Sequence, residues 1–175
     1  MLTRILLFIG LLCLGLYGFF VVEAHFRQAE LEKELYQPVP IRVTATPLRR
    51  KLKEGDLFGR LEVPRLNLSV MVMEGDADDI LRLGAGHVPG TPMAIAGHRD
   101  SFFRPLKDIK VADTIRFTTP DGTSDYHVVS TQIVGPKDTF VLDAKNDNTM
   151  TLITCYPFYY VGPAPKRFIV EATKN

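Results

Sequence analysis

The stretch ILLFIGLLCLGLYGFFVV, Ile5–Val22, limits most strongly what this chain can become. Its 18 residues carry no charge, close to the shortest apolar helix that crosses the hydrocarbon of a bilayer. In lipid such a run must be helical, because only a helix pairs its backbone groups within one segment. Arg4 precedes it, and Glu23, His25 and Arg27 follow. The run is long for the apolar part of a signal peptide. Glu23 is also awkward within Val22-Glu23-Ala24, the loose small-residue cleavage site on offer. An uncleaved transmembrane anchor over residues 1–22 is therefore expected. Arg4 and the terminal amine nearly balance Arg27 and Lys33, so flanking charge does not set its direction.

Residues 23–55 read as a juxtamembrane stalk and linker. Glu23–Gln37 is rich in helix formers, but Leu31 and Leu35 make only a narrow apolar stripe, too little to fold alone. Pro38–Gly55 holds three prolines and no sustained period, the mark of an extended linker. Its basic group, Arg49, Arg50, Lys51 and Lys53, fits a solvated tether. Over the whole chain 21 Lys and Arg offset 20 Asp and Glu, so no basic field points to nucleic acid.

From residue 56 the pattern becomes that of short strands. RLEVPRLNLSVMV alternates with a two-residue period, interrupted at Pro64. Asp76–Gly84 suits a short helix, with aspartates at its start and glycine at its stop. MAIAGH is a strand ending in polar residues, and Pro105 restricts SFFRPLKDI to one helical turn. Two strands flank the Pro120-Asp121-Gly122 turn, and TMTLITC and KRFIVEATK are two more. GAGHVPGT reads as a loop. Residues 56–175 are thus expected to be mostly β, a closed barrel of about eight strands with short helices.

Cys155 is the only cysteine of that body; Cys13, in mid-span, has the character of a small apolar residue in lipid. Outside the cytoplasm an unpaired thiol is either intermolecular or reactive, with a buried, inert thiol as the plain alternative. A reactive one needs a base. His25 stands beside the membrane, His127 alternates outward from Tyr126 and Val128, and His87 sits in the glycine- and proline-flanked loop, where it can orient the chain. His98 differs: it ends a buried strand, as Cys155 does. Arg167 opens the next strand after an 11-residue connection, residues 156–166, so an antiparallel return brings a permanent cation back toward the thiol.

AGHRDSFFRPL, TLITCYPF and APKRFIV together resemble the sortases, membrane-bound cysteine transpeptidases of bacterial surfaces, and CYPFYYVGPAPKRF looks most like class D. The resemblance covers roughly Asp56 to the C-terminus. It makes residues 56–175 a catalytic barrel with Cys155 as nucleophile, His98 as general acid/base and Arg167 as transition-state stabiliser. Thr154 takes a supporting or substrate-contacting role, and Asp100 a structural one. It also implies cleavage of an LPxTG-like C-terminal sorting signal after threonine, through a thioacyl enzyme. The carbonyl then passes to an amine acceptor, a peptidoglycan amine or a pilin lysine. The anchor would be single-pass in the cytoplasmic membrane, its N-terminus inside and the barrel outside. Many relatives carry a longer insert between GAGHVPGT and MAIAGH, where Pro92 here leads almost directly into the strand. No cofactor or metal is implied, although some relatives bind calcium; Asp143 and Asp147 form no diagnostic calcium loop.

Such chemistry asks for thiolate and imidazolium together. A free thiol is about 3% ionised and a free imidazole about 25% protonated at pH 7, so a slow enzyme with a bell-shaped pH profile is expected. Two alternatives share these residues: a thiol peptidase that only hydrolyses, and a non-catalytic anchored β-barrel. A metal site built from His87, His98, Asp100 and Cys155 is disfavoured, because their spacing contains no compact ligand pair.

Overall fold

The computed structural model describes residues 2–36, 52–138 and 148–174. The segments expected to be anchor and stalk form one helix, α1, Leu2–Tyr36. No proline interrupts it, and at 1.5 Å per residue it is about 50 Å long, well beyond the ~30 Å of a bilayer's hydrocarbon. Its apolar window has a mean hydropathy of 2.7, and none of it is buried in the protein. Among the described residues one helix is therefore long and apolar enough to cross a membrane.

The far end of α1 does not hang free. Leu31 and Leu35 are buried against Met71 and Met73 of the barrel wall and Ile80 of the short helix Asp78–Leu83. Gln28 fastens the same contact: its Nε2 donates to the Leu83 carbonyl at 2.6 Å, and its Oε1 accepts from the Met71 amide at 2.6 Å. Glu32 pairs with Arg60 at 2.6 Å. A stripe too narrow to fold alone is wide enough to dock on a preformed surface. Replacing Leu31 with Asp places a carboxylate in this contact and is expected to speed tryptic cleavage at Arg27 and Lys33 without melting the barrel. Of the linker, residues 37–51 lie outside the described residues. Its end already belongs to the barrel, since the Gly55 amide donates to the Glu74 carbonyl at 2.8 Å.

Among the described residues eight strands follow: β1 Leu57–Val63, β2 Leu68–Glu74, β3 Ala85–His87, β4 Ala94–Gly97, β5 Thr114–Thr119, β6 Gly122–Val134, β7 Thr149–Tyr156 and β8 Lys166–Lys174. They close in the order β1-β2-β3-β4-β7-β8-β6-β5. Helix α2, Asp78–Leu83, joins β2 to β3. Pro64 supplies no amide to a ladder, so the β1–β2 connection turns through a short 3₁₀ segment, Pro64–Leu66. Within GAGH, Ala85–His87 proves to be a strand rather than a loop. Its three residues are held by neighbours on both sides, parallel to β2 and antiparallel to β4.

The pairing that matters most is also the least local. β4 lies parallel to β7, with Ile95 beside Leu152 and Gly97 beside Thr154. Ile95, Met150, Leu152, Val170 and Ala172 all point into the same buried core. Gly97 closes that core under the ring of Phe103, which is wholly buried. A Cβ at position 97 would stand 2.7 Å from that ring. Gly97→Ala is accordingly expected to cost about 1–3 kcal/mol through overpacking, read as a lower melting temperature.

Where β1 ends and β5 begins, the Asp113 carboxylate accepts from both Nε and Nη2 of Arg65 and from the Lys110 amide. The Arg65 hydrogen bond holds the Asp113 carboxyl below the usual carboxylate range, against the opposing effect of burial. With the folded value lowered, the stabilisation is present above the unfolded pKa of about 3.9 and is lost as pH falls through the folded one. Asp113→Asn should thus melt below wild type at neutral pH, and the gap should narrow as pH falls below the usual carboxylate range.

Candidate active site

Cys155 stands next to last in β7, and Arg167 second in β8. The antiparallel register sets them directly opposite one another. Cross-strand partners project from the same face of a sheet. Leu152, Thr154 and Val170 are buried, so the odd-numbered Cys155 and Arg167 stand on the outer face, half-buried. On the other side of β7, Gly97 is the register partner of Thr154. The chain therefore leaves β4 at His98 beside Cys155. Thr154 fixes this junction: it is buried, and its hydroxyl donates to the Gly97 carbonyl at 2.7 Å.

Three neighbouring strand ends thus place Cys155, His98 and Arg167 at one end of the barrel. Two ladders and one buried hydroxyl hold them there. The Arg167 guanidinium is turned toward its own connection, where Nη1 donates to the carbonyls of Ala164 at 3.2 Å and Lys166 at 3.0 Å. Asp100 is exposed in the turn after His98. Between α1 and the barrel runs a groove of about 880 Å³, lined by Phe20, His25 and Gln28 on one side and His98, Asp100 and Phe102 on the other. Cys155 and Arg167 are not part of its lining, so the groove meets the mouth only on the histidine side.

His87 and His127 lie apart, whereas His25 shares the groove lining with His98. His87 is buried in β3; its Nδ1 lies 2.8 Å from a Glu74 carboxylate oxygen and its Nε2 3.0 Å from the Thr91 carbonyl. Its ring stacks on Phe58 at 4.1 Å, so it ties β3 to β2 and to the turn beyond. His127 sits in β6 between the buried Tyr126 and Val128, opposite Thr114. Among the described residues, no three or more His, Cys, Asp or Glu side chains are grouped so as to hold a metal ion. Asp143 and Asp147 lie outside the described residues.

Residues 61–175, about two thirds of the chain, match the Sortase domain. The chain belongs to the sortase family. It is 36% identical over 129 residues to sortase D of Bacillus subtilis, covering 69% of this chain and 65% of that protein's length. To sortase A of Listeria monocytogenes it is 28% identical over 109 residues, 57% of this chain and 49% of the relative. A Clostridium perfringens sortase D5 transpeptidase shares the fold, with a TM-score of 0.73, 24% identity and coverage of 88% of this chain and 99% of that one. The likeness to class D read from the CYPFYYVGPAPKRF segment thus agrees with the similarity to the Bacillus subtilis sortase D.

In this sortase the connection from Cys155 to Arg167 is folded back on the barrel. Phe158 packs edge-on against Tyr156 and Phe168, at 6.0 and 5.4 Å between ring centroids. Arg104 and Lys107, on the turn after β4, lie over the Tyr159 ring. A residue to which sequence reading gave no role, Arg99, donates through Nη2 to the carbonyls of Tyr160 at 2.8 Å and Gly162 at 3.1 Å. Its charge and its place beside His98 were visible, but its partners lie about 60 residues away, and nothing local signals them.

Proposed function

We propose that this sortase is a cysteine transpeptidase of the cell surface. It cuts an LPxTG-like sorting signal after threonine and joins the freed carbonyl to an amine. The observation that carries the proposal is the opposed pair Cys155–Arg167, with His98 leaving the adjacent strand end.

The Cys155 thiolate adds to the threonine carbonyl, forming the carbon–sulfur bond, and the carbonyl electron pair moves onto oxygen. Arg167, released from the carbonyls of Ala164 and Lys166, can direct its fork at that oxyanion or at substrate carbonyls, where a fixed cation counts most. As the tetrahedral intermediate collapses, the carbon–nitrogen bond breaks and protonated His98 gives its proton to the departing amine. A thioacyl enzyme remains. An incoming amine then attacks the thioester, His98 takes its proton, and a new amide forms as the sulfur leaves. One amide is exchanged for another, so no outside energy source is required. Thr154 supports the arrangement by holding the ends of β4 and β7 together, and Asp100 belongs to the turn that follows His98.

The substrates would be surface proteins with a C-terminal sorting signal, and the acceptor a peptidoglycan amine or a pilin lysine. Such substrates arrive on the outer side of the cytoplasmic membrane. That arrangement puts the N-terminus of α1 inside and the barrel outside, as a single-pass protein.

Incubation with a peptide containing LPxTG, followed by intact-mass measurement, tests the first half. A mass increase on Cys155 equal to the acyl portion is expected. Added di- or triglycine, or a lysine peptide, should shift product from free acid to ligated peptide. Free acid alone at millimolar amine would make the protein a hydrolase. Absence of any adduct across a panel of such signals would overturn the acyl-enzyme reading.

A further inference from the structure

We infer that Arg99 is the latch of the connection between β7 and β8, a positioning residue for the sortase reaction. The connection links the nucleophile strand to the Arg167 strand, and it is held at three points by the segment that follows His98. Arg99 Nη2 bonds the carbonyls of Tyr160 and Gly162, and its guanidinium lies 5.7 Å from the centroid of the Tyr160 ring. Arg104 and Lys107 lie over the neighbouring ring of Tyr159. The end of the same connection holds the stabilising cation, because the Ala164 carbonyl accepts from Arg167. Whatever fixes Tyr160 and Gly162 therefore steadies the segment that substrate meets before Arg167 turns from Ala164 to the oxyanion.

The latch is built to open. Tyr159, Tyr160 and Val161 are exposed, Val161 completely, so little apolar burial holds the tip of the connection in place. Arg99 Nη1 is sealed from solvent and finds no hydrogen-bond partner. Shielding a charged donor without an acceptor is unfavourable, so the closed arrangement stands against an opposing cost. It is held by polar bonds of one side chain rather than by a core. A connection of this kind exists partly closed and partly open, and a substrate that needs it closed binds with an affinity reduced by the closed fraction. Weakening the latch lowers that fraction. Substrate at saturation restores it, so KM carries the effect and kcat does not. Generalised damage to the barrel has the opposite signature: fewer active molecules, lower apparent kcat and unchanged KM.

The inference rests on the proposed peptide reaction only for its kinetic half, and the experiment separates the two. The full chain is prepared in detergent as wild type, Arg99→Ala, Arg99→Lys and Tyr160→Ala. Amide hydrogen exchange is followed in peptides spanning residues 158–164 and, as reference, in β7 and β8. Exchange in the connection should rise about tenfold in Arg99→Ala while the strands are unchanged, and KM for an LPxTG peptide should rise by a similar factor with kcat within about twofold. Arg99→Lys keeps a cation that can reach both carbonyls but loses the flat face over Tyr160, and should fall between wild type and alanine on both measures. Tyr160→Ala keeps both backbone acceptors and should show a smaller rise. Unchanged exchange at 158–164 in Arg99→Ala overturns the latch, as does a fall in kcat at constant KM. Should Arg99→Ala not fold, the lysine and Tyr160 variants carry the same two readouts. A wild type that turns over no peptide counts against the proposed function, while the exchange data still judge the latch.

Discussion

Cys155→Ala is expected to lower kcat/KM for a sorting-signal peptide by roughly 10⁴-fold or more, because removing a nucleophile leaves only binding and polarisation. The acyl adduct seen by mass should vanish with it. Stability should hardly change. The side chain is half-buried on the outer face of β7, and the substitution removes one sulfur from a site outside the packed core. A melting temperature within a few degrees of wild type is therefore the necessary control. A Cys155→Ala protein that still ligated peptides would end the thioacyl mechanism outright. One that lost ligation but retained a surface-binding role would favour the non-catalytic barrel.

Arg167→Ala should cost about 10²–10³-fold in kcat, the scale seen when a single oxyanion donor is removed. Lysine should recover only a minor part of it, since a point charge lacks the planar fork that serves two acceptors at once. The thiol itself should stay competent, and alkylation of Cys155 by iodoacetamide is expected to persist in the variant. Arg167 now spends its bonds on Ala164 and Lys166 within its own connection, so its loss disturbs no buried network. An unfolded Arg167→Ala protein would show a structural role instead. Full activity in a folded one would leave the oxyanion without its cation and require a different donor.

Much of this was legible along the chain, for reasons that differ from element to element. Strand periods at Leu57–Glu74 and the Pro120–Gly122 turn are local, so the alternation and the turn chemistry declare them. His98 and Cys155 could be singled out because each ends a buried run. Arg167 followed from the length of one antiparallel return. The strand at Ala85–His87 was hidden, because three residues flanked by glycine carry no period of their own. They extend only because β2 and β4 offer ladders on both sides. The docking of α1 was hidden too. Leu31 and Leu35 look like a stripe too thin to matter until Met71, Met73 and Ile80 supply the other half of the contact.

By itself the sequence determined that an apolar helix precedes a strand-rich body, that the body holds one thiol, and that a histidine and an arginine stand at strand ends. Those facts depend on near neighbours: runs, alternations, turns and spacing. Only the tertiary structure decided that β4 and β7 run side by side, which brings His98 next to Cys155 although 56 residues lie between them. The physical reason is that ladder partners are selected by closing the barrel around a shared core of Ile95, Leu152 and Val170. No single strand carries the information about which neighbour it will find. The same holds for Arg99, whose acceptors exist only once the chain beyond Cys155 has folded back over it.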